Sequence, residues 1–365
     1  MSSGRRTRKR SMMQAAVVLP LLITNITACG DNFNGKHEVT VGIALPNKLQ
    51  TRWADDGQNM ARGLESHGYR VNVKFADDDV DRQVDQIQSM IDAGDKVIII
   101  GAVDGYELGQ VLKVAARSGV KVIAYDRLLL GSANVDYYAS FDNYKVGQLQ
   151  AAYIIDRLGL KEGKGPFNLE IFSGDPNDNN SSLFFNGSME VLKPWIKKGI
   201  LVLKSGNMRI TQVATFHWDG EIARETMTTR LHEHFGSAAL DAVLAPNDGI
   251  ARGIIQALKA DGYGSGGKEM PIITGQDAEV ESVRKIIKGE QSMTVYKDTR
   301  KLAEVAVDMA DAIIVGKTPK ITDNEQYDNG AKVVPAYLLG PVAIDKSNYK
   351  KLLIDSGYIN RSDVN

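Results

Sequence analysis

The sequence predicts an α/β fold of two doubly wound lobes, each with a parallel sheet covered by helices. From His37 onward, short β-branched and apolar runs alternate with amphipathic helical stretches, which is the order of βαβ units. The runs are apolar almost throughout, as in parallel strands that are buried on both faces. There are about ten such runs, more than one compact sheet of this kind usually holds. The chain is therefore expected to divide between two sheets.

The predicted strands and helices follow one another in order along the chain. The strands are residues 39–45, 69–75, 95–103, 120–125, 135–141, 167–172, 200–205, 241–245, 271–275 and 292–296. The clearest helical patterns are residues 82–94, 107–119, 147–160 and 249–262. In the first of these, Val84, Ile87, Met90 and Ile91 recur at helical spacing and give one buried face. Glycines follow three of the helices as stop signals, at Gly94, Gly119 and Gly262.

The boundary between the lobes carries no flexible linker. The first break is expected near residues 141–145, after five strands, and no Gly/Ser-rich or Pro-rich stretch lies there. Short hinge segments should therefore join the lobes, with a cleft between them.

The first 28 residues have the pattern of a secretory signal peptide. A basic run at residues 5–10 precedes an apolar run of about a dozen residues that ends in small ones. Pro20 and Asn25 interrupt the apolar run, which is too short for a good membrane span. The alternative, an ordinary buried helix, fits poorly with a basic cluster at the extreme N-terminus.

Cys29 is the only cysteine, so no disulfide can form within the chain. It directly follows the apolar run in ITAC, residues 26–29, which resembles a bacterial lipobox. We therefore expect an extracytoplasmic protein that is lipid-anchored to a membrane through Cys29, with a polar tether at residues 29–37. A chain that is simply secreted is the alternative.

The charge balance argues against nucleic acid as a partner. Removal of residues 1–28 takes away five basic residues and leaves 39 basic against 45 acidic residues, a net charge of −6. Nucleic-acid binding depends on a basic surface that neutralises phosphates, and no such patch remains.

Polar side chains follow most of the predicted strands, and ligands of open parallel sheets bind beyond these carboxyl ends. Asp126 and Arg127 are the clearest case, because they directly follow a buried strand. The group as a whole combines carboxylates, amides and cations with Trp53 and Trp218. Carboxylates and amides accept hydrogen bonds from sugar hydroxyls, cations donate to their oxygens, and indoles pack on the C–H faces of a pyranose. The combination is typical of a sugar site.

Each of these residues also has a structural interpretation. A single Asp or Asn after a strand is usually the N-cap of the next helix. We give that interpretation to Asp78, Asp79, Asp104 and Asp142 and leave it open for Asp248. The tryptophans could be packing residues, and Asp126 with Arg127 could be a structural ion pair. The functional interpretation rests on polar groups recurring at one edge of both predicted sheets.

The motifs of the common enzyme classes are absent from the sequence. It contains no G-x-S-x-G, H-E-x-x-H or P-loop pattern, and its G-x-G-x-x-G match at residues 262–267 follows a helix and precedes a strand, the wrong order for a phosphate-binding loop. His232 and His234 are two residues apart and do not share a helix face, so we expect no metal site and no cofactor. Carboxylates are abundant, so residue type alone leaves glycoside hydrolysis open.

Several segments resemble the periplasmic monosaccharide-binding proteins of ABC importers, of the xylose-binding and multiple-sugar-binding types. They are residues 52–53 (RW), 76–79 (ADDD), 87–90 (IQSM), 121–127 (KVIAYDR), 141–151 (FDNYKVGQLQA), 174–180 (GDPNDNN), 191–195 (VLKPW), 274–279 (TGQDAE), 293–300 (MTVYKDTR) and 333–339 (VVPAYLL). The resemblance covers nearly all of residues 38–360, in order. It implies the type I periplasmic binding protein fold, with two Rossmann-like lobes joined by three hinge crossovers. The implied lobes are residues 38–142 plus 279–326 and residues 143–278 plus 327–360.

The resemblance also implies the sugar contacts, residue by residue. They are Lys48, Arg52, Trp53, Asp126, Arg127, Asn143, Asp178, Asn179, Asn180, Trp218, Asn247, Asp277 and Lys297. The implied function is capture of an aldose of the xylose, glucose, galactose or arabinose type by a monomer, and its delivery to an ABC permease without catalysis. Two alternatives stay open: a sensor that presents the sugar to a chemoreceptor or a sensor kinase, and a secreted sugar-processing enzyme.

Overall fold

The computed structural model describes residues 39–48 and 51–364, so the predicted signal peptide, Cys29 and the tether lie outside the described residues. The strands are β1 Thr40–Leu45, β2 Arg70–Phe75, β3 Val97–Ile100, β4 Lys121–Tyr125, β5 Tyr137–Phe141, β6 Phe167–Ile171, β7 Leu201–Val202, β8 Ala242–Leu244, β9 Ile272–Ile273, β10 Met293–Tyr296, β11 Ala336–Leu339 and β12 Val342–Asp345. The helices are α1 Thr51–Ser66, α2 Val80–Asp92, α3 Gly109–Arg117, α4 Asn143–Leu158, α5 Asn179–Lys197, α6 Ile210–Val213, α7 Gly220–Arg230, α8 Asp248–Ala260, α9 Val280–Lys288, α10 Thr299–Ile314 and α11 Arg361–Val364.

The first lobe is built on a parallel sheet of six strands in the order β11-β5-β4-β3-β1-β2. The alternating directions of the side chains along β3 show why the strands of this sheet are apolar throughout. Ile98 and Ile100 pack in the core that includes α2 and α3, whereas Val97 and Ile99 pack in the core that includes α1 and α10. Successive side chains point to opposite faces of a sheet, and here both faces are covered by helices.

The second lobe has a parallel sheet of four strands in the order β7-β6-β8-β9. An antiparallel pair, β10 and β12, extends it. The backbone of Val295 on β10 donates to the Gly275 carbonyl over 2.9 Å and accepts from the Asp277 amide over 2.9 Å. All ten predicted strands are present, and β11 and β12 are additional to them.

Three crossovers join the lobes, at residue 142, residues 297–298 and residues 340–341. The predicted two-lobed α/β fold is confirmed, but its lobe boundaries are wrong at two places. β11 was assigned to the second lobe, yet it pairs with β5 in the first sheet, because the chain crosses back only after Leu339. β10 was assigned to the first lobe, yet it pairs with β12 in the second, because the chain returns to the first lobe only after Asp298.

Helices α4 and α5 of the second lobe meet at their backbones. A Cβ on Gly147 would lie well inside 3.0 Å of the Phe184 carbonyl oxygen, and a Cβ on Gly187 equally close to the Tyr144 carbonyl oxygen. The hydroxyl of Ser188 donates to the Gly147 carbonyl over 3.0 Å. Glycine at both positions lets the helices approach this closely. The contact fixes α4, which begins at the first crossover, against α5.

We expect G187A to destabilise the protein by about 1–3 kcal/mol, since the added methyl group meets a backbone carbonyl that cannot rotate away. The matched control is G109A in the first turn of α3, where no atom lies within 4 Å of the added Cβ. That change should be neutral or stabilise by up to about 1 kcal/mol. Urea unfolding of both variants measures the difference, and equal stability of the two would contradict the close helix contact.

Candidate functional site

A cavity lies between the two lobes, at the carboxyl ends of their parallel strands. Its lining residues come from both lobes: Arg52, Trp53, Asp126, Arg127, Asp178, Asn180, Phe184, Trp218, Asn247, Gln276, Asp277 and Lys297. The position is the one that open α/β sheets offer to ligands.

Asp126, at the end of β4, is fixed by its backbone conformation and by hydrogen bonds to its backbone carbonyl. Its φ is +60°, in the left-handed region, which Asp tolerates better than most residues. Its carbonyl accepts hydrogen bonds from the Tyr138 hydroxyl over 2.6 Å, the Ser140 hydroxyl over 3.1 Å and the Asn180 amide over 3.0 Å. Asn180 belongs to the second lobe, so this strand end is fixed from both sides of the cleft.

Arg52 anchors the first-lobe side of the cavity. One of its terminal nitrogens lies 3.0 Å from the Asp126 carboxylate and 3.1 Å from the Asp56 carboxylate, one turn along α1. The guanidinium stands 4.4 Å from the ring centroid of Trp53, and that of Arg127 stands 5.3 Å from the same ring. Trp53 is only 1% exposed. The Trp53 indole therefore makes a cation–π contact with each of the two guanidiniums.

Two further ion pairs close the cavity from the second lobe. Arg127 Nε lies 3.2 Å from Asp178 Oδ2, which joins the first lobe to the second. Asp178 also caps α5, because its other carboxylate oxygen accepts a hydrogen bond from the backbone N–H of Asn180 over 2.9 Å. Lys297, at a crossover, lies 3.3 Å from Asp277. The described cleft is therefore closed, with Arg127 of the first lobe paired to Asp178 of the second.

The carboxylates of the site respond differently to burial. Burial alone raises the pKa of Asp126, but the surrounding positive charges, Arg52 foremost, outweigh it and hold the pKa below its ordinary value. Burial raises the pKa of Asp178, and Arg127 offsets this only in part. Behind the cavity, burial raises the pKa of Asp56 to about 6 despite its contact with Arg52. Of these three carboxylates, Asp126 is the one most firmly kept as an anion.

Aromatic rings line the second-lobe side. Trp218 is half-buried, and its ring centroid lies 6.2 Å from that of Phe184 at an interplanar angle of 69°. The backbone at His217 and Trp218 is left-handed, with φ of 56° at each. A half-exposed indole in a fixed backbone gives the cavity an apolar wall.

Three polar atoms of the cavity residues are buried without a hydrogen-bond partner in the described chain: Arg52 Nε, Asp126 Oδ2 and Gln276 Oε1. Asp126 Oδ2 has its ion-pair contact with Arg52 but no hydrogen bond of good geometry. Buried polar groups are nearly always paired, so one donor and two acceptors of these residues keep hydrogen-bonding capacity that the described chain does not use.

The structure brings ten of the thirteen sequence-predicted site residues to the cavity wall. The other three lie elsewhere in the described conformation. Lys48 is exposed, with its ammonium 4.9 Å from the Phe75 ring. Asn143 is buried behind the wall and donates to Asn180 Oδ1 over 2.8 Å. Asn179 precedes Asn180 on α5, and neighbouring helical residues point about 100° apart, so only one of them faces the cleft.

Two cavity residues were not among the predicted contacts. Gln276 is one of the polar residues that directly follow a predicted strand, but the list of sugar contacts implied by the resemblance does not contain it. Phe184 lies inside α5 and looks like an ordinary core residue of an amphipathic helix; no local signal separates it. Among residues 39–48 and 51–364, no three His, Cys, Asp or Glu side chains group in a way that could hold a metal ion. Nor does that part of the chain contain a helix with the length and apolar character to cross a membrane.

Comparison with known proteins agrees with this geometry. Residues 41–318 match a family model described as a periplasmic binding protein domain. The chain is 53% identical over 319 residues to the multiple sugar-binding periplasmic receptor ChvE of Rhizobium radiobacter, which covers 87% of this chain and 90% of that protein. It is 36% identical over 344 residues to the D-xylose-binding periplasmic protein of Escherichia coli (strain K12), with 94% and 96% covered.

A solved structure is similar over the same length. It is an ABC transporter solute binding protein from Clostridium phytofermentans with bound β-D-glucose. The TM-score is 0.85 at 46% sequence identity, covering 89% of this chain and 100% of that one. The family match, the relatives and the two-lobed fold agree: the chain belongs to the periplasmic binding protein family, whose members bind substrates and are not enzymes.

Proposed function

We propose that this protein captures a neutral monosaccharide in the cleft outside the cytoplasm and delivers it to an ABC permease. The observation that carries the proposal is a set of cavity-residue atoms that make no hydrogen bond within the described chain: Arg52 Nε, Gln276 Oε1 and Asp126 Oδ2, the last of which is ion-paired to Arg52. A sugar hydroxyl both donates and accepts, so neighbouring hydroxyls can satisfy a guanidinium donor and two oxygen acceptors together. Hydrogen bonds to charged groups are the stronger ones, which suits the capture of a well-hydrated ligand.

The charges of the cavity favour a neutral sugar. Three carboxylates and three cations line it: Asp126, Asp178, Asp277, Arg52, Arg127 and Lys297. They already pair with one another at 3.0–3.3 Å. A charged ligand would leave one charge of this set buried without a partner, which is strongly unfavourable.

Trp218 and the relatives support an aldose in its ring form. The half-exposed indole offers a flat apolar face to the C–H groups of a pyranose. A relative 53% identical is named a multiple sugar-binding receptor, and the similar solved structure contains β-D-glucose. We therefore propose glucose, galactose, xylose and arabinose as the candidate ligands.

The mechanism is binding and closure, with no covalent step. Contacts between the lobes, such as Arg127 with Asp178, exist only when the cleft is closed. A sugar that bridges the lobes adds to these contacts and shifts the population toward the closed form. The permease would recognise that form.

Two finer features and one alternative belong to the same proposal. The protein acts as a monomer, held at the membrane by lipid on Cys29.

The alternative is a sensor that presents the sugar to a chemoreceptor or a sensor kinase, and it is favoured by the relative that is named a receptor. Loss of growth on the sugar after gene deletion would favour transport, whereas loss of a sugar response with normal growth would favour sensing.

Calorimetric titration of the protein with the four aldoses tests the proposal. Saturable one-to-one binding of at least one of them is expected. A folded protein that binds none of the four would overturn the sugar assignment.

The substitution D126N should weaken sugar binding about 10- to 100-fold, because it removes the charge of the carboxylate that pairs with Arg52. Asn is the suitable replacement since it also tolerates the left-handed φ of 60°. The control is D104N: Asp104 follows β3 at the same sheet edge and does not line the cavity. Titration with glucose should give wild-type affinity for D104N, and an equal loss in both variants would argue against a direct role for Asp126.

The substitution R127A should weaken both affinity and closure. It removes the pair with Asp178 and the hydrogen bond to the Ala102 carbonyl, which measures 2.9 Å. Truncating one partner of a buried charge pair typically loses 2–5 kcal/mol, or at least about 30-fold in affinity. Small-angle scattering should show less compaction on adding sugar than in the wild type or in R62A, which removes an exposed arginine of α1. Full compaction of R127A would show that closure does not depend on this pair.

A further inference from the structure

We propose that Gly174, which does not line the cavity, sets the position of the Trp218 indole and thereby the affinity for the ligand. The inference rests on the proposed function, because it concerns the wall of the same site. Gly174 is a buried residue of the turn that joins β6 to α5.

The space at Gly174 is filled by the tryptophan ring. A Cβ at this position would lie well inside 3.0 Å of three Trp218 atoms, Cη2, Cζ2 and Cζ3, a separation that real Cβ atoms do not adopt. These atoms belong to the six-membered part of the indole. Gly174 does not have a positive φ, so its backbone conformation does not call for glycine. Close contact with the indole is the reason that remains.

The loop that carries Trp218 is tied to the same turn. The Thr215 amide donates to the Gly174 carbonyl over 3.2 Å, and the His217 amide donates to the Asp175 carboxylate. The Trp218 amide in turn donates to the Thr215 carbonyl over 3.2 Å. Because the backbone is held at these points, an added side chain at position 174 would displace the ring and leave the loop in place.

A displaced ring would change the ligand contact. Besides its contact with Gly174, the Trp218 ring packs in an edge-to-face arrangement with the Phe184 ring, with the ring centroids 6.2 Å apart. To reach an ordinary contact distance of at least 3.4 Å from a new methyl group, the indole must move either into the cavity or away from it. Either movement removes the face on which a pyranose would pack.

The test is a double-mutant cycle in the full chain, with glucose titrated into wild type, G174A, W218F and G174A/W218F. Phenylalanine has a shorter side chain that does not reach the positions of Cη2, Cζ2 and Cζ3. We expect G174A to weaken binding at least about tenfold in the presence of Trp218 and less than about twofold in the W218F background. An equal loss in both backgrounds, or unchanged affinity in G174A, overturns the proposal.

Two controls separate this role from general damage. G249A places a methyl group at ordinary distances, 3.7 Å or more, from Asn247 and the Trp218 carbonyl, and should keep wild-type affinity. If G174A folds poorly, recovery of its melting temperature in the G174A/W218F protein supports the same contact, and no recovery contradicts it.

A readout without sugar keeps the two proposals distinguishable. The emission of Trp218 is obtained as the difference between each protein and its W218F partner. G174A should shift this emission, because the ring environment changes, whether or not sugar binds. A wild type that binds none of the four aldoses overturns the proposed function, while an unshifted emission overturns the positioning role of Gly174.

Discussion

The pairing of buried charges across the cleft is the constraint on which the site depends. A charged group loses its hydration on burial and must be compensated by a partner and by hydrogen bonds. Arg127 of the first lobe finds that partner in Asp178 of the second, 3.2 Å away. The same contact that makes burial tolerable therefore also holds the lobes together. Opening returns both groups to water, so the charges do not oppose the open state, and a ligand can enter a hydrated cleft before closure pairs them.

The precision of the site comes from backbone contacts that only glycine allows. Gly147 and Gly187 bring α4 and α5 together, and α5 carries Asp178 and Asn180 at its N-terminus. Because α4 starts directly at the first crossover, the crossover and the cavity residues Asp178 and Asn180 belong to one packed unit. At the aromatic wall, Gly174 leaves room for a side chain, the Trp218 ring. Helices and loops that touch at their backbones have few ways to repack, so the polar groups keep fixed distances.

Strand periodicity and strand-end polarity predict much of this fold and site, and their failures have physical causes. All ten predicted strands are present, because a buried parallel strand has a strong local signature. β11 was not predicted because it has only four residues, directly follows Pro335, and pairs with β5, which lies about 200 residues earlier in the chain. Asp126 was predictable from its place after a strand. Phe184 and Gly174 were not, since their roles depend on what the fold brings against them.

The left-handed backbone at Asp126 explains how two adjacent charged residues can serve one cavity. On a continuing strand, neighbours point to opposite faces, and one of Asp126 and Arg127 would face away. A φ of +60° at Asp126 turns the chain, so that both side chains line the cleft. Such a conformation costs about 1–3 kcal/mol in a residue other than glycine. Three hydrogen bonds to the Asp126 carbonyl, from Tyr138, Ser140 and Asn180, offset that strain. One of the three comes from the second lobe, so the turn that presents the charged pair is best supported when the cleft is closed.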